Sequence, residues 1–193
     1  MEKFKLLISI TLFFALSIFT VSANTVITVY KTYEDYQNKI GEKYDKYDGY
    51  IHSLGKVKLY LYKNGVKTKV KCADIWGFTY NTELFRIYKK DAQPVRVINN
   101  GSIIYYENGV AHLEMLATNS KSAELYVGYY CFLSKGINTP IIPMPGVWTI
   151  TGYAKKQVKK FRKEYPEYSD LFDCIDENYR YTKMRVCVQI YGK

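Results

Sequence analysis

Nucleophilic chemistry in this chain has to draw on four cysteines, Cys72, Cys131, Cys174 and Cys187, and on two histidines, His52 and His112. A thiol enzyme needs a reduced cysteine beside an imidazole that lowers its pKa, so the candidate pairs are Cys131 or Cys72 with His52 or His112. Asp74, Glu107 and Glu114 are the candidates for a glycosidase's two carboxylates. A small extracellular hydrolase is therefore one reading. No local motif marks it: Gly-x-Ser-x-Gly, His-Glu-x-x-His and phosphate-binding glycine loops are all absent. A metal centre is not indicated either, because there is no Cys-x-x-Cys and neither histidine stands at ligand spacing from a cysteine. No cofactor is implied.

Binding chemistry has a more definite address. The run Val57-Lys-Leu-Tyr-Leu-Tyr-Lys63, the turn Asn64-Gly65 and the run Val66-Lys-Thr-Lys-Val-Lys-Cys72 form a hairpin pattern, because both turn residues tolerate the positive φ of a type I′ turn. A two-residue turn fixes the register. It sets Leu61 opposite Thr68, Leu59 opposite Val70 and Val57 opposite Cys72 on one face, and Tyr62 opposite Lys67, Tyr60 opposite Lys69 and Lys58 opposite Lys71 on the other. The second face is basic and aromatic, with Tyr60, Tyr62, Lys67, Lys69 and Lys71 as candidate binding residues. Tyrosine rings stack on sugars or bases while lysines meet anionic groups. The structural counterpart is that exposed strand faces are polar anyway and that edge lysines block aberrant pairing.

The compartment narrows the partner. Lys3 and Lys5 precede an uncharged, mostly apolar run from Leu6 to Phe19, and Val21-Ser22-Ala23 supplies small residues for cleavage, so residues 1–23 read as a signal peptide and the working chain begins near Asn24. The run is shorter than the roughly 20 residues of a membrane span. The expected location is periplasmic or extracellular. The net charge of +10, almost all of it outside the leader, favours anionic surfaces. For an exported chain the expected partner is an anionic glycan or cell-envelope component, ahead of nucleic acid. The 21 tyrosines all lie outside the leader and add weight to recognition of a ligand.

These residues need a scaffold, and the chain after the leader has the length of one domain with an appendage. Residues 24–55 carry many charges and glycines and read as irregular, apart from a capping-box pattern at Thr32-Tyr-Glu-Asp35. Over 56–137 strand-like runs follow in succession at Ile75 to Tyr80, Leu84 to Tyr88, Val95 to Ile98, Ile103 to Tyr106, Val110 to Met115 and Leu125 to Phe132. Asn99-Asn100-Gly101 and Glu107-Asn108-Gly109 punctuate them as tight turns. The expected fold is α+β, an antiparallel meander forming a sandwich or small barrel. Residues 138–152, with Pro140, Pro143 and Pro145, form a connection to a helical tail over 153–193.

In that tail Ala154, Val158, Phe161 and Tyr165 share one helix face, and the lysines around them form a basic helix closed by Pro166. The basic helix would suit an anionic membrane or phosphates. The acidic segment from Glu164 to Glu177 offers it an internal partner instead. Tyr168, Leu171, Phe172 and Ile175 form a second stripe, and Met184, Val188 and Tyr191 a third, with a strand as the alternative over 184–190. An oxidising compartment makes disulfides the default. Cys174 with Cys187 is the favoured pair, which leaves Cys72 and Cys131 as a second one.

Asp74-Ile-Trp-Gly-Phe78, following a lysine-rich hairpin and preceding Leu84-Phe-Arg-Ile87 and Ile103-Ile-Tyr-Tyr106, resembles uncharacterised secreted proteins of the Bacteroidota over roughly residues 55–115. The resemblance implies an exported, β-rich fold. It carries no activity and assigns no site residues.

Overall fold

The computed structural model describes residues 26–146 and 151–193, so the leader read over residues 1–23 lies outside the described residues. Strand β1 (Ile27–Tyr30) is followed by a short helix α1 (Tyr33–Gln37), then β2 (Glu42–Tyr44), β3 (Lys46–Ser53), β4 (Lys56–Lys63) and β5 (Val66–Lys71). A 3-10 turn over Cys72–Asp74 leads to β6 (Gly77–Tyr80), β7 (Glu83–Tyr88), β8 (Gln93–Val97) and β9 (Ile104–Asn108). Helix α2 (Gly109–Thr118) and a single turn α3 (Lys121–Glu124) precede β10 (Cys131–Ser134) and β11 (Ile142–Pro143). The tail contains α4 (Thr151–Glu164), a 3-10 turn over Pro166–Tyr168, α5 (Ser169–Ile175) and α6 (Tyr181–Tyr191).

The strands form two antiparallel sheets. One is eight-stranded in the order β11-β10-β9-β8-β7-β6-β1-β2, and the other is three-stranded in the order β3-β4-β5. The architecture is α+β, an antiparallel meander with C-terminal helices. One face of the large sheet carries two cores side by side. Under the small sheet, Val57, Leu59 and Leu61 of β4 pack with Ile27, Val29, Phe78, Phe85 and Ile87. Under the helical tail, Tyr105, Cys131 and Leu133 pack with Val158, Phe161, Leu171, Phe172, Met184 and Val188. The opposite face holds a smaller cluster of Tyr88, Val95, Ile104, Tyr106 and Phe132.

Local chemistry explains the elements that were legible. Asn64 and Gly65 both have positive φ, and the hairpin pairs Leu61 with Thr68, Leu59 with Val70, Tyr62 with Lys67, Tyr60 with Lys69 and Lys58 with Lys71. Pairing stops at Lys71, one residue before Cys72. At α1 the Thr32 hydroxyl accepts from the Asp35 amide at 3.1 Å and the Asp35 carboxylate accepts from the Thr32 amide at 3.0 Å, a reciprocal capping box. The three tail stripes are helical, with Ala154, Val158, Phe161, Leu171, Phe172, Ile175, Met184 and Val188 buried. Cys174 and Cys187 are bridged, joining α5 to α6.

Four expectations are corrected. Residues 26–55 are not irregular: they hold β1, β2 and β3. The alternation in β3 is hidden by a bulge between Tyr47 and Tyr50, where Gly49 takes φ of 110° and two inward tyrosines fall three positions apart instead of two. Val110 to Met115 is helical, because Asn108 ends β9 and caps α2 by accepting from the Ala111 amide, so Asn-Gly starts a helix where a turn was expected. Leu125 to Phe132 is strand only from Cys131 onward. Cys72 and Cys131 are free thiols, buried in different cores, and form no second bridge.

Candidate functional site

The outer face of the small sheet is built by register alone. β3 pairs with β4 so that Lys46 stands opposite Tyr62, and β5 completes the row with Lys67. Tyr60 with Lys69 and Lys58 with Lys71 form the neighbouring rows. The predicted residues Tyr60, Tyr62, Lys67, Lys69 and Lys71 thus share one surface, and Lys46 joins it. The Lys67 ammonium lies 4.6 Å from the Tyr60 ring centroid and that of Lys69 lies 5.5 Å from it. Lys46 lies 5.8 Å from the centroid of Tyr62. The negative ring faces attract the ammonium groups and draw them over the tyrosines. Asp48 pairs with Lys67 at 2.6 Å, raising the lysine pKa and lowering its own. Lys71 lies 4.0 Å from Asp74, and among the described residues no carboxylate pairs with Lys46, Lys58 or Lys69. The array can therefore meet an extended anion with most of its charge unspent.

Among the described residues the basic helix α4 makes one ion pair with the acidic segment: Arg162 reaches Asp173 of α5 at 3.1 Å. Lys155, Lys156, Lys159, Lys160 and Lys163 are exposed, so the acidic segment neutralises less of α4 than the charge pattern suggests.

The residues of the hydrolase reading fall elsewhere. Along one cross-strand row of the large sheet, Phe85, Arg96, Glu107 and Cys131 stand side by side, at the seam between the two cores. Glu107 is 0% exposed. Each of its oxygens accepts two hydrogen bonds. One takes Tyr105 Oη at 2.9 Å and Arg185 Nε at 2.7 Å, and the other takes His112 Nε2 at 3.0 Å and Arg185 Nη2 at 2.6 Å. Arg96 stands 3.0 Å from His112 Nδ1 and pairs with Glu83 at 2.7 Å. A guanidinium only donates, so Nδ1 accepts and Nε2 carries the hydrogen given to Glu107. Burial acts to raise the Glu107 pKa, but the bonds from His112, Arg185 and Tyr105 and the Arg185 charge outweigh it and hold the carboxyl below its ordinary value.

This arrangement uses both ring nitrogens of His112 internally and leaves neither for a substrate. Cys131 bonds to Tyr105 Oη at 3.3 Å, and no hydrogen bond among the described residues joins either free thiol to an imidazole. Burial pushes Cys72 up to about 12, and it pushes Cys131 up to about 12 against the lowering bond from Tyr105. Such thiols are protonated near neutrality and poor nucleophiles. Asp74 and Glu114 line separate clefts, at opposite edges of the small sheet, and Glu107 lines neither. Arg96 and Arg185 escaped the sequence reading: nothing local ties Arg185 to a carboxylate 78 residues away.

Comparison of the chain with protein-family models, with curated proteins and with solved structures finds no match. The site stands on its geometry alone. No group of His, Cys, Asp or Glu side chains that could hold a metal ion occurs among the described residues, and no helix among them is long and apolar enough to cross a membrane.

Proposed function

We propose that the chain is an exported, non-catalytic binding module that holds an anionic glycan or similar cell-envelope component on the outer face of its small sheet. The observation that carries this reading is the array of Lys46, Lys58, Lys67, Lys69 and Lys71 around Tyr60 and Tyr62, in which the aromatic rings organise ammonium groups that internal carboxylates leave largely unpaired. Export rests on the leader pattern, and the Cys174–Cys187 bridge fits an oxidising compartment. A place among secreted β-rich proteins of the Bacteroidota belongs to the same proposal.

The test is retention on immobilised polygalacturonate at low salt, with elution by a salt gradient. A lysine close to an anionic surface contributes about 1 kcal/mol, so the triple variant Lys67→Ala, Lys69→Ala, Lys71→Ala should bind about a hundredfold more weakly. The pair Tyr60→Ala, Lys69→Ala should also fall away. A variant with Lys155, Lys156 and Lys159 of α4 changed to Ala should retain binding. Equal retention by wild type and the triple variant, or loss confined to the α4 variant, would sink the assignment to this face.

A further inference from the structure

The small sheet has a second edge with different chemistry. Along β3, where it faces α2 and the chain leading into β10, a cleft of about 440 Å³ opens, in the size range of small-molecule sites. Tyr50 forms one wall, and Tyr126, Tyr129 and Tyr130 form the other, with Glu114 and Gln93 between them. Tyr126 and Tyr129 meet edge to face at 5.0 Å between centroids. Tyr126 is 47% exposed, so its ring is presented outward.

The wall is held in place. Asn108 donates from its amide nitrogen to the Tyr126 carbonyl at 3.0 Å, and its backbone amide donates to the Val127 carbonyl at 3.1 Å. The same side chain caps α2, the helix that bears Glu114. One residue therefore fixes the tyrosine wall and the carboxylate relative to each other. On the other wall, burial and then the charge of the Glu114 carboxylate, which lines the same cleft, raise the Tyr50 phenol.

We infer that this cleft binds a neutral pyranose unit of an oligosaccharide, at a site separate from the lysine face and by a different physical route. Apolar C–H faces of a sugar ring stack on phenol rings, and its hydroxyl pairs find acceptors and donors in the Glu114 carboxylate and the Gln93 amide. Charge selects the ligand class. The cleft is lined by Glu114 and by His52, whose ring meets Tyr50 edge to face at 5.5 Å between centroids, and by no lysine or arginine, so an anionic sugar meets a like charge at Glu114, while the chain's net charge of +10 disfavours a free cation. A neutral saccharide is what remains compatible with both.

The experiment titrates the full chain with hexamers of β-1,4-glucose, α-1,4-glucose, β-1,4-mannose and N-acetylglucosamine at up to about 5 mM, a range that captures millimolar binding. Isothermal calorimetry and tyrosine fluorescence are the readouts. At least one hexamer should bind, about tenfold more weakly to Tyr126→Ala, the size of one aromatic stacking contact. Glu114→Gln should weaken binding while leaving the fold intact by circular dichroism. Binding should survive both 0.3 M salt, a strength at which the Debye length is only about 6 Å, and the triple lysine variant expected to weaken polygalacturonate retention. The two sites thus succeed or fail independently. Absence of binding by all four hexamers overturns the inference, as does binding indifferent to Tyr126→Ala.

Discussion

Glu107→Gln tests whether the seam between the two cores is a structural clasp. Each Glu107 oxygen accepts one bond from Arg185 and one from a neutral donor, Tyr105 or His112. Whichever oxygen becomes an amide nitrogen, one charge-assisted bond from Arg185 is lost and N–H groups face one another. A charge-assisted bond is worth about 1.5–3 kcal/mol, and removing one partner of a buried pair costs about 3–5 kcal/mol. Arg185 is 44% exposed and recovers hydration, which places the expected cost near the low end, about 3 kcal/mol. For a domain of this size that lowers Tm by about 6–12 °C. Urea unfolding at pH 7, followed by far-UV circular dichroism with the disulfide intact, gives the direct value. The pH dependence has a definite sign. Glu107 titrates below its unfolded value, so its contribution is complete above about pH 5 and fades as pH falls through the lowered folded pKa. The stability gap between wild type and variant should therefore narrow from pH 5 to pH 3. A variant within about 0.5 kcal/mol of wild type at pH 7, within the range of ordinary surface changes, would refute the clasp.

Other consequences are equally open to measurement. Leu54 is 99% exposed with φ of 51° at the tip of the β3–β4 hairpin, a left-handed position that asparagine tolerates better, so Leu54→Asn should raise Tm by about 2–4 °C by calorimetry. Reducing the Cys174–Cys187 bridge, or the Cys174→Ala, Cys187→Ala pair, should cost about 3 kcal/mol in urea unfolding, the scale for a loop of about 15 residues. Alkylation of unreduced protein should add nothing in buffer and two groups in urea, since Cys72 and Cys131 are buried free thiols with pKa values pushed to about 12; mass spectrometry showing reaction in buffer would contradict this. Gly77→Ala should unfold β6 from β7, because its Cβ would strike the Phe85 carbonyl, and a folded, wild-type-like spectrum would argue against that register.

What was legible in the sequence was what short-range chemistry decides. Asn64-Gly65 dictates a two-residue turn, and the turn dictates which of Tyr60, Tyr62, Lys67 and Lys69 stand together. The tail stripes needed only a period of 3.6 residues, and Cys174 with Cys187 followed from two neighbouring stripes. Signals that serve two structures misled. Asn108-Gly109 suits a hairpin turn and an N-cap equally, and only pairing of Asn108 with Val95 across β8 and β9 carries the strand to the point where a helix begins. In β3 the bulge at Gly49 shifts the alternation by one residue, so Lys46 was not seen beside Tyr62. Arg96, Arg185 and the tyrosine cleft depend on long-range packing, which no local pattern encodes: Tyr50 and Tyr126 meet only once α2 and the small sheet have docked.

The position of Arg185 in the chain bears on when the protein can fold. Glu107 and Ile103 are made well before their partners: the guanidinium that neutralises the first lies 78 residues further along, and the amide of the second donates to the carbonyl of Gly192. Met184, Cys187 and Val188, which close the core under the tail, arrive at the same moment. A nascent chain emerging from its N-terminus thus carries an uncompensated carboxylate and an open apolar face until α6 has been made. The core under the tail therefore cannot close before α6 has emerged. A chain stopped at Arg180 should accordingly stay open to protease under conditions where the full chain resists it.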